Sequence, residues 1–213
     1  MAARELAVRS AVRAMLITPG RGDLAALLRS ASAALACGVR CFQLREPELS
    51  ARELLRWGAA LRELCGARPA RVLVNTRVDV AAAPCFDGVH LSWRALAPRE
   101  ARALLGPEKW IGLSVHTQDE LRDRARLEPC DYVLFGPVFA TPSKAGRLEA
   151  RGIAGLRAAA GACEIPLVAV GGIDETNAAA LRGTGHAGCA AIRVFEDRER
   201  AAYFARALSE NPS

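Results

Sequence analysis

Polar and cationic side chains recur where short apolar segments of the chain end, and together they could bind an anionic small molecule. In chain order they are Gln43 with Arg45, Asn75, Ser114 with His116, Thr141 with Ser143 and Lys144, Gly171 with Gly172, and Ile192 with Arg193. Amides, hydroxyls and guanidinium groups bind phosphates and carboxylates, and an imidazole transfers protons near neutral pH. We therefore expect one site that several separate segments assemble.

Two of these segments have the composition of a phosphate site. Gly171 and Gly172 stand before Asp174, at which we expect a helix to begin. Backbone N–H groups at the start of a helix bind anions, and glycine places no Cβ in front of them. The next apolar segment ends in Ile192 and Arg193, and a guanidinium group binds phosphate through two hydrogen bonds. The alternative is a tight turn at the glycines and an Arg193 paired with a helix carboxylate.

The segment "YVLFGPVFATPSKAG" runs from an apolar stretch into a polar loop. Its Thr141, Ser143 and Lys144 could hydrogen-bond a second anionic group of the ligand. Gly146 and Gly152 would let this loop close over the ligand. The alternative is an ordinary surface turn, since turns have a similar composition.

The histidines have different expected roles. His116 stands where an apolar segment ends and a helix begins, so it is the candidate acid or base for proton transfer. His90 lies within "GVHLS", and its side chain could point into the core or towards a helix layer. His186 precedes an apolar segment, where a structural role is expected.

Gln43 and Arg45 alternate along one segment and therefore share one face of the expected strand. This face would be the interior of the fold, and a buried guanidinium group needs an anionic partner. Either Glu46 or another carboxylate neutralises Arg45, or Arg45 meets an anionic group of the ligand. The residues alone leave both alternatives open.

The strands and helices that position these residues are predicted from a pattern that occurs eight times along the chain. Each unit consists of an apolar segment, a polar turn and a segment of helical periodicity. Continuous hydrophobicity is typical of parallel strands, and Ser50 with Glu53 and Thr117 with Glu120 predict capped helix starts. We predict the α/β class and a single (β/α)8 TIM-barrel domain over residues 1–213, with the barrel proper over about 13–209. A doubly wound sheet is the alternative, but no G-x-G-x-x-G follows the first strand.

The composition excludes several classes of protein. Of the 213 residues, 51% are hydrophobic, yet no apolar segment approaches the ~20 residues that cross a bilayer, so we expect a cytoplasmic protein without a membrane partner. The formal charge of +6 is spread over helical segments and aromatic residues are 5%, which argues against a nucleic-acid partner. The seven cysteines include no C-x-x-C pair, so we expect no metal site.

The chain resembles the thiamine phosphate synthase/TenI superfamily. The motifs that carry the resemblance are, in order, "FQLRE", "VLVNTRVDVA", "DGVHL", "IGLSVHT", "DYVLFGPVFATPSKAG" and "IPLVAVGGI", between Met15 and Phe195. The resemblance implies a (β/α)8 barrel of thiamine biosynthesis that binds a phosphorylated thiazole. It also implies that a homodimer is a reasonable expectation, because small barrels of this kind often pair.

Two activities occur in that superfamily. Synthases join a pyrimidine diphosphate to a thiazole phosphate with Mg²⁺ held by aspartates, and they usually contain Q-L-R-x-K, N-D and G-Q-x-D after the second, third and fourth strands. This sequence has Pro47 in place of the lysine, Thr76 in place of the first aspartate, and "LSWRAL" in place of the last motif. We therefore expect the second activity, a TenI-like thiazole tautomerase that requires no cofactor. The alternatives are a Mg²⁺-dependent synthase and a non-catalytic thiazole-phosphate binder.

The resemblance also assigns roles to residues of this sequence. His116 would move the proton, while Gly171, Gly172 and the backbone near Arg193 would bind the phosphate. Lys144, Arg45 or Gln43 would contact the substrate carboxylate. The remaining candidates for substrate binding are Asn75, Ser114, Thr141 and Ser143.

Overall fold

Eight parallel strands form a closed barrel in which each strand pairs with the next and the eighth pairs with the first. The computed structural model describes residues 2–93, 95–123, 127–141 and 149–209. The strands are β1 (Ala14–Ile17), β2 (Cys41–Leu44), β3 (Arg71–Asn75), β4 (Gly88–Leu91), β5 (Trp110–Val115), β6 (Tyr132–Phe135), β7 (Leu167–Val170) and β8 (Gly188–Ala191). This architecture confirms the predicted TIM barrel, and all eight predicted strands are present.

Helices connect the strands and cover the outside of the barrel. They are α1 (Ala2–Val12), α2 (Leu24–Ala36), α3 (Ala51–Cys65), α4 (Val78–Ala81), α5 (Pro98–Leu105), α6 (Gln118–Arg122), α7 (Gly152–Ala162) and α8 (Arg198–Ser209). Two short 3-10 helices, Ala178–Leu181 and Arg193–Glu196, follow β7 and β8. No described helix combines the length and the apolar character needed to cross a membrane.

The strands bury apolar side chains on both faces, which explains their continuous hydrophobicity. Alternate residues such as Phe42, Val74 and Val89 pack against the helices. The inner cluster fills the barrel and consists of Val8, Ala11, Val12, Met15, Ile17, Cys41, Leu73, Trp110, Tyr132, Leu134, Val168 and Ala190. The barrel is therefore a packed core, and any ligand must bind at one of its ends.

Helix α1 was not predicted, because the charged residues near the N-terminus hide its apolar face. Its Val8, Ala11 and Val12 are buried in the inner cluster of the barrel. Its Arg4 reaches Asp131 and the carbonyl oxygen of Lys109 at the N-terminal ends of β6 and β5. Helix α1 thus lies across the N-terminal end of the barrel, and only the C-terminal end remains for a site.

The predicted helix caps are confirmed at two of three positions. Ser50 accepts from the backbone N–H of Glu53, and Thr117 accepts in the same way from Glu120. The expectation of a helix beginning at Asp174 is wrong. The Asp174 carboxylate accepts hydrogen bonds from Thr176, which stabilises a turn, and the 3-10 helix begins only at Ala178.

Two half-buried aspartates tie neighbouring strands together at the N-terminal end of the barrel. Asp131 accepts from the Ile111 N–H at 2.7 Å, from Arg4 at 2.6 Å and from Arg102 at 2.9 Å. Asp87 plays the same part between β3 and β4, where it accepts from the Val72 N–H at 2.7 Å. These carboxylates lie at the end opposite to the predicted site, so we assign them to stability.

Candidate active site

The described candidate residues lie at the C-terminal end of the barrel, where three of them form a polar inner wall together with His90. Gln43 and Asn75 follow the inner-cluster residues of their strands at a spacing of two, and Ser114 follows Trp110 at a spacing of four, which places all three on the same inner face. His90 on β4 belongs to this wall as well. The inner residues of the other strands are apolar at this level, namely Ile17, Leu134, Val170 and Ile192. The inner face near the C-terminal end of the barrel is therefore polar along β2–β5 and apolar along the other strands.

Gln43 and Asn75 form a hydrogen-bonded pair in this wall. The Gln43 Nε2 donates to Asn75 Oδ1 at 2.8 Å, and the Asn75 Nδ2 donates to Thr76 Oγ1 at 2.9 Å. Gln43 is 2% exposed, and its Oε1 has no hydrogen-bond partner among the described residues. Because an unpaired buried acceptor costs free energy, a donor on a ligand would stabilise the site at this atom.

Thr76 has a strained backbone at the edge of the polar wall. Its φ is +65°, a left-handed conformation that is unfavourable for a β-branched residue, and no other described non-glycine residue has a positive φ. Its N–H donates to the His90 carbonyl oxygen at 2.8 Å, which holds β3 against β4 at this point. Strain of this kind is retained where the surrounding contacts enforce it.

We expect Thr76→Asn to stabilise the fold by about 1 kcal/mol, because asparagine tolerates the left-handed conformation and keeps a side-chain acceptor for Asn75. Urea denaturation should show a higher midpoint with an unchanged slope. The matched control is Thr117→Asn, which exchanges two good N-cap residues at a φ of −133° and should leave the midpoint almost unchanged. A lower midpoint for Thr76→Asn would contradict the assignment of strain.

Three polar groups on β4, β5 and β6 form a chain that runs from the core to the mouth. The His90 Nδ1 lies 3.0 Å from the Tyr132 hydroxyl, and its Nε2 lies 2.9 Å from Ser114 Oγ. Tyr132 is 0% exposed and His90 1% exposed, whereas Ser114 is half-buried. Burial lowers the pKa of His90 to about 3, so its imidazole is neutral. The His90 side chain therefore points into the core of the barrel and not towards the helix layer.

Arg45 and Glu46 lie beyond the end of β2 and differ from the sequence-based expectation. Arg45 is exposed rather than buried, because the strand ends at Leu44. Glu46, one of the two alternatives for its partner, instead accepts from the N–H groups of Gly20 and Gly22 at 3.1 and 3.0 Å. The alternative in which Glu46 neutralises Arg45 is therefore not observed. In the described part of the chain, no carboxylate lies within ion-pair distance of Arg45, and its guanidinium group lies near Gly20.

The glycines after β7 are required by close packing. Gly171 and Gly172 have φ values of +99° and +64°. A Cβ at Gly171 would lie 2.6 Å from the Pro137 Cα, and one at Gly172 would lie 2.6 Å from the Ala140 carbonyl oxygen. These contacts bring the end of β7 against the segment after β6. The tight-turn alternative thus has a structural basis, and a phosphate site at the same backbone stays a prediction.

Ile192 and Arg193 lie at the start of the 3-10 helix that follows β8. The Ile192 side chain is half-buried against the inner cluster, and the Arg193 side chain is exposed. Within the described ranges, no carboxylate pairs with Arg193, so the expected alternative of a helix carboxylate partner is not observed. The exposed guanidinium group of Arg193 thus stays a candidate for binding an anion.

His116 lies directly after β5 and is half-buried. Its Nδ1 is 2.6 Å from the Gly136 carbonyl oxygen, which can only accept, so Nδ1 carries a proton. Its backbone N–H donates to Glu120, whose carboxylate also completes the cap of α6. Thr141 is half-buried after β6, while Ser143 and Lys144 fall in residues 142–148, outside the described residues.

A comparison with models of protein families shows to which family the chain belongs. The model of the family described as thiamine monophosphate synthase matches residues 14–195. The chain belongs to the thiamine monophosphate synthase family. The match covers all eight strands of the barrel.

Individual proteins named as thiamine-phosphate synthases are also similar to this chain over most of its length. A thiamine-phosphate synthase of Moorella thermoacetica is 41% identical over 92% of this chain and 93% of its own length. A thiamine-phosphate synthase of Vibrio parahaemolyticus is 37% identical over 87% of this chain and 91% of its own length. The solved structure of a thiamine phosphate pyrophosphorylase from Pyrococcus furiosus aligns with a TM-score of 0.83 at 29% identity, over 97% of this chain and 100% of that one.

These relatives contradict the expectation of a TenI-like thiazole tautomerase, which is therefore wrong. Three curated relatives, which are 41%, 37% and 41% identical over 92%, 87% and 84% of this chain, are named thiamine-phosphate synthase. The expectation depended on differences at Pro47, Thr76 and the "LSWRAL" segment. Differences at those few positions indicate the activity less well than the 41% identity to a synthase over 92% of the chain does.

The Mg²⁺ that the thiamine monophosphate synthase family implies does not fit the described residues. No group of three or more His, Cys, Asp or Glu side chains in this part of the chain could hold a metal ion. Magnesium prefers carboxylate oxygens, but the carboxylates of Glu46 and Glu120, which follow β2 and β5, already accept backbone N–H groups. At the mouth, Thr76 and Asn75 offer only neutral oxygens that are engaged with each other and with Gln43.

Proposed function

We propose that the chain joins a pyrimidine diphosphate to a thiazole phosphate and so forms thiamine phosphate. The observation that carries this proposal is the 41% identity to a thiamine-phosphate synthase over 92% of the chain. In this reaction the thiazole nitrogen forms a bond to the methylene carbon of the pyrimidine, and the bond from that carbon to the diphosphate oxygen breaks. The bonding electrons leave with the diphosphate, and no proton has to move.

The cationic residues at the mouth suit the two anionic parts of these substrates. Arg193 and the backbone of Gly171 and Gly172 would bind the thiazole phosphate next to β7 and β8, where barrels of this fold often bind phosphate. Arg45 would bind the diphosphate, since it is exposed at the mouth and no described carboxylate neutralises it. Lys144 remains a candidate for the same group by its position in the sequence.

The polar and apolar halves of the mouth suit the two rings. Gln43 Oε1 offers an unpaired acceptor and Ser114 offers a hydroxyl, so the polar wall can fix a ring that carries donors and acceptors. Ile17, Leu134 and Val170 would cover the other face of the substrates and exclude water. Exclusion of water strengthens the attraction between the arginines and the charge that develops on the leaving diphosphate.

His116 has a positioning part in this proposal. Since the reaction transfers no proton, His116 is not required as an acid or base. Its hydrogen bond to the Gly136 carbonyl oxygen joins the end of β5 to the segment that directly follows β6. We propose that this bond holds the two segments in place around the substrates.

The experiment is incubation of the protein with both substrates and detection of thiamine phosphate by mass spectrometry, with Mg²⁺ added or chelated. We expect product at a rate well above that of the same mixture without protein. Because the described residues supply no carboxylate site, titration of Mg²⁺ into the free protein is expected to give no saturable binding heat. Binding of the thiazole phosphate without product in either mixture would overturn the proposal and leave a non-catalytic binder.

A further inference from the structure

We infer that Tyr132 and His90 are positioning residues that fix the Ser114 hydroxyl as a hydrogen-bond donor to the bound substrate. The inference rests on the proposed function in one respect, namely that substrate occupies the mouth of the barrel. The three residues lie on three adjacent strands, and only Ser114 reaches the mouth. The chain therefore connects a buried phenol to a group that can contact substrate.

The direction of the hydrogen bonds follows from the atoms that are available. The Tyr132 hydroxyl is completely buried, and the His90 Nδ1 is its one hydrogen-bond partner among the described residues. A buried hydroxyl proton without an acceptor is costly, so Tyr132 donates to Nδ1. The neutral imidazole then carries its proton on Nε2, which donates to Ser114 Oγ.

This direction determines what Ser114 can do. With its oxygen accepting from His90, the remaining proton of the Ser114 hydroxyl has no acceptor among the described residues. Ser114 therefore presents a donor to the mouth, and its partner on the substrate must be an acceptor atom. The opposite tautomer of His90 would accept the Ser114 proton and remove this donor.

Gly112 gives independent support for the contact between Tyr132 and His90, because this contact requires a residue without a side chain at position 112. Gly112 lies on β5 between the two residues and pairs with both in the register of the sheet. A Cβ at Gly112 would lie 2.5 Å from the Tyr132 hydroxyl oxygen and 2.6 Å from the His90 Nδ1. Glycine within a strand weakens it, so its presence here is explained by the close approach of these side chains.

The first test is the tautomer of His90 in the substrate-free protein, measured by ¹⁵N NMR of the imidazole. We expect the Nε2-protonated form in the natural protein, and a mixed or reversed tautomer in Tyr132→Phe, which keeps the ring but removes the donor. An Nδ1-protonated His90 in the natural protein would overturn the inference. This measurement needs no turnover, so it is independent of the proposed function.

The second test is a double-mutant cycle of Tyr132→Phe and Ser114→Ala, read as kcat/KM for thiamine phosphate formation. We expect Tyr132→Phe to lower kcat/KM about fivefold when Ser114 is present, as for the loss of one oriented hydrogen bond, and to have no further effect in Ser114→Ala. Equal effects in both backgrounds would show a merely structural hydroxyl and overturn the inference. The exposed Tyr203→Phe is the matched control and should leave kcat/KM unchanged.

Discussion

Replacement of Arg45 by alanine is expected to lower kcat/KM for thiamine phosphate formation by about 10²-fold. Arg45 is exposed at the mouth of the barrel and lies near Gly20, and no described carboxylate forms an ion pair with it. In the proposed reaction, negative charge develops on the diphosphate as its bond to carbon breaks. A guanidinium group that binds this charge stabilises the transition state more than the ground state. Steady-state kinetics with both substrates measure the effect.

Two variants sharpen the test of Arg45. Arg45→Lys keeps the charge but loses the planar pair of donors, so we expect an intermediate loss of kcat/KM. Arg122→Ala removes an exposed arginine that pairs with Asp119 on α6, and it should leave kcat/KM unchanged. An Arg45→Ala variant with the kcat/KM of the natural protein would show that Arg45 does not bind the diphosphate.

Replacement of Asp131 by alanine is expected to lower the free energy of unfolding by about 3 kcal/mol. The Asp131 side chain is 7% exposed and accepts hydrogen bonds from Arg4, Arg102 and the backbone of Ile111. Its removal leaves two arginines without their carboxylate and a backbone N–H without an acceptor. It also removes the ion pair between α1 and the end of the barrel. Urea denaturation followed by circular dichroism measures the change.

The matched control for Asp131 is Asp119→Ala. Asp119 is 88% exposed in its side chain and pairs with Arg122 on the surface, so its loss should change the free energy of unfolding by less than about 0.5 kcal/mol. Equal destabilisation by the two substitutions would mean that the carboxylate of Asp131 does not hold the strands and α1 together.

The fold was predictable because parallel strands and capped helices leave strong local signals. The continuous apolar segments located all eight strands, and the capping boxes at Ser50 and Thr117 located two helix starts. The element after β7 was not predictable from Asp174, because the same carboxylate can cap a turn as well as a helix. Helix α1 escaped prediction because its burial depends on the open end of a barrel that forms only in the complete fold.

The shared location of the candidate residues was predictable, whereas the burial and partners of their side chains were less so. The rule that polar residues at the carboxyl ends of parallel strands converge brought Gln43, Asn75 and Ser114 correctly to one wall. Gln43 was placed on the inner face correctly, but Arg45 was not, since its burial depended on where β2 ends. Tyr132 and Gly112 were missed; a glycine inside the apolar strand "WIGLSV" was the available signal of a close approach.

Because α1 covers one end of the barrel, it constrains the order in which the products of the proposed reaction can leave. Because the inner cluster fills the interior and α1 lies beneath it, both substrates and both products must pass through the same opening. Whichever product lies outermost has to depart before the one beneath it can. Product-inhibition patterns would then reveal which of diphosphate and thiamine phosphate leaves first, and so which substrate sits deeper.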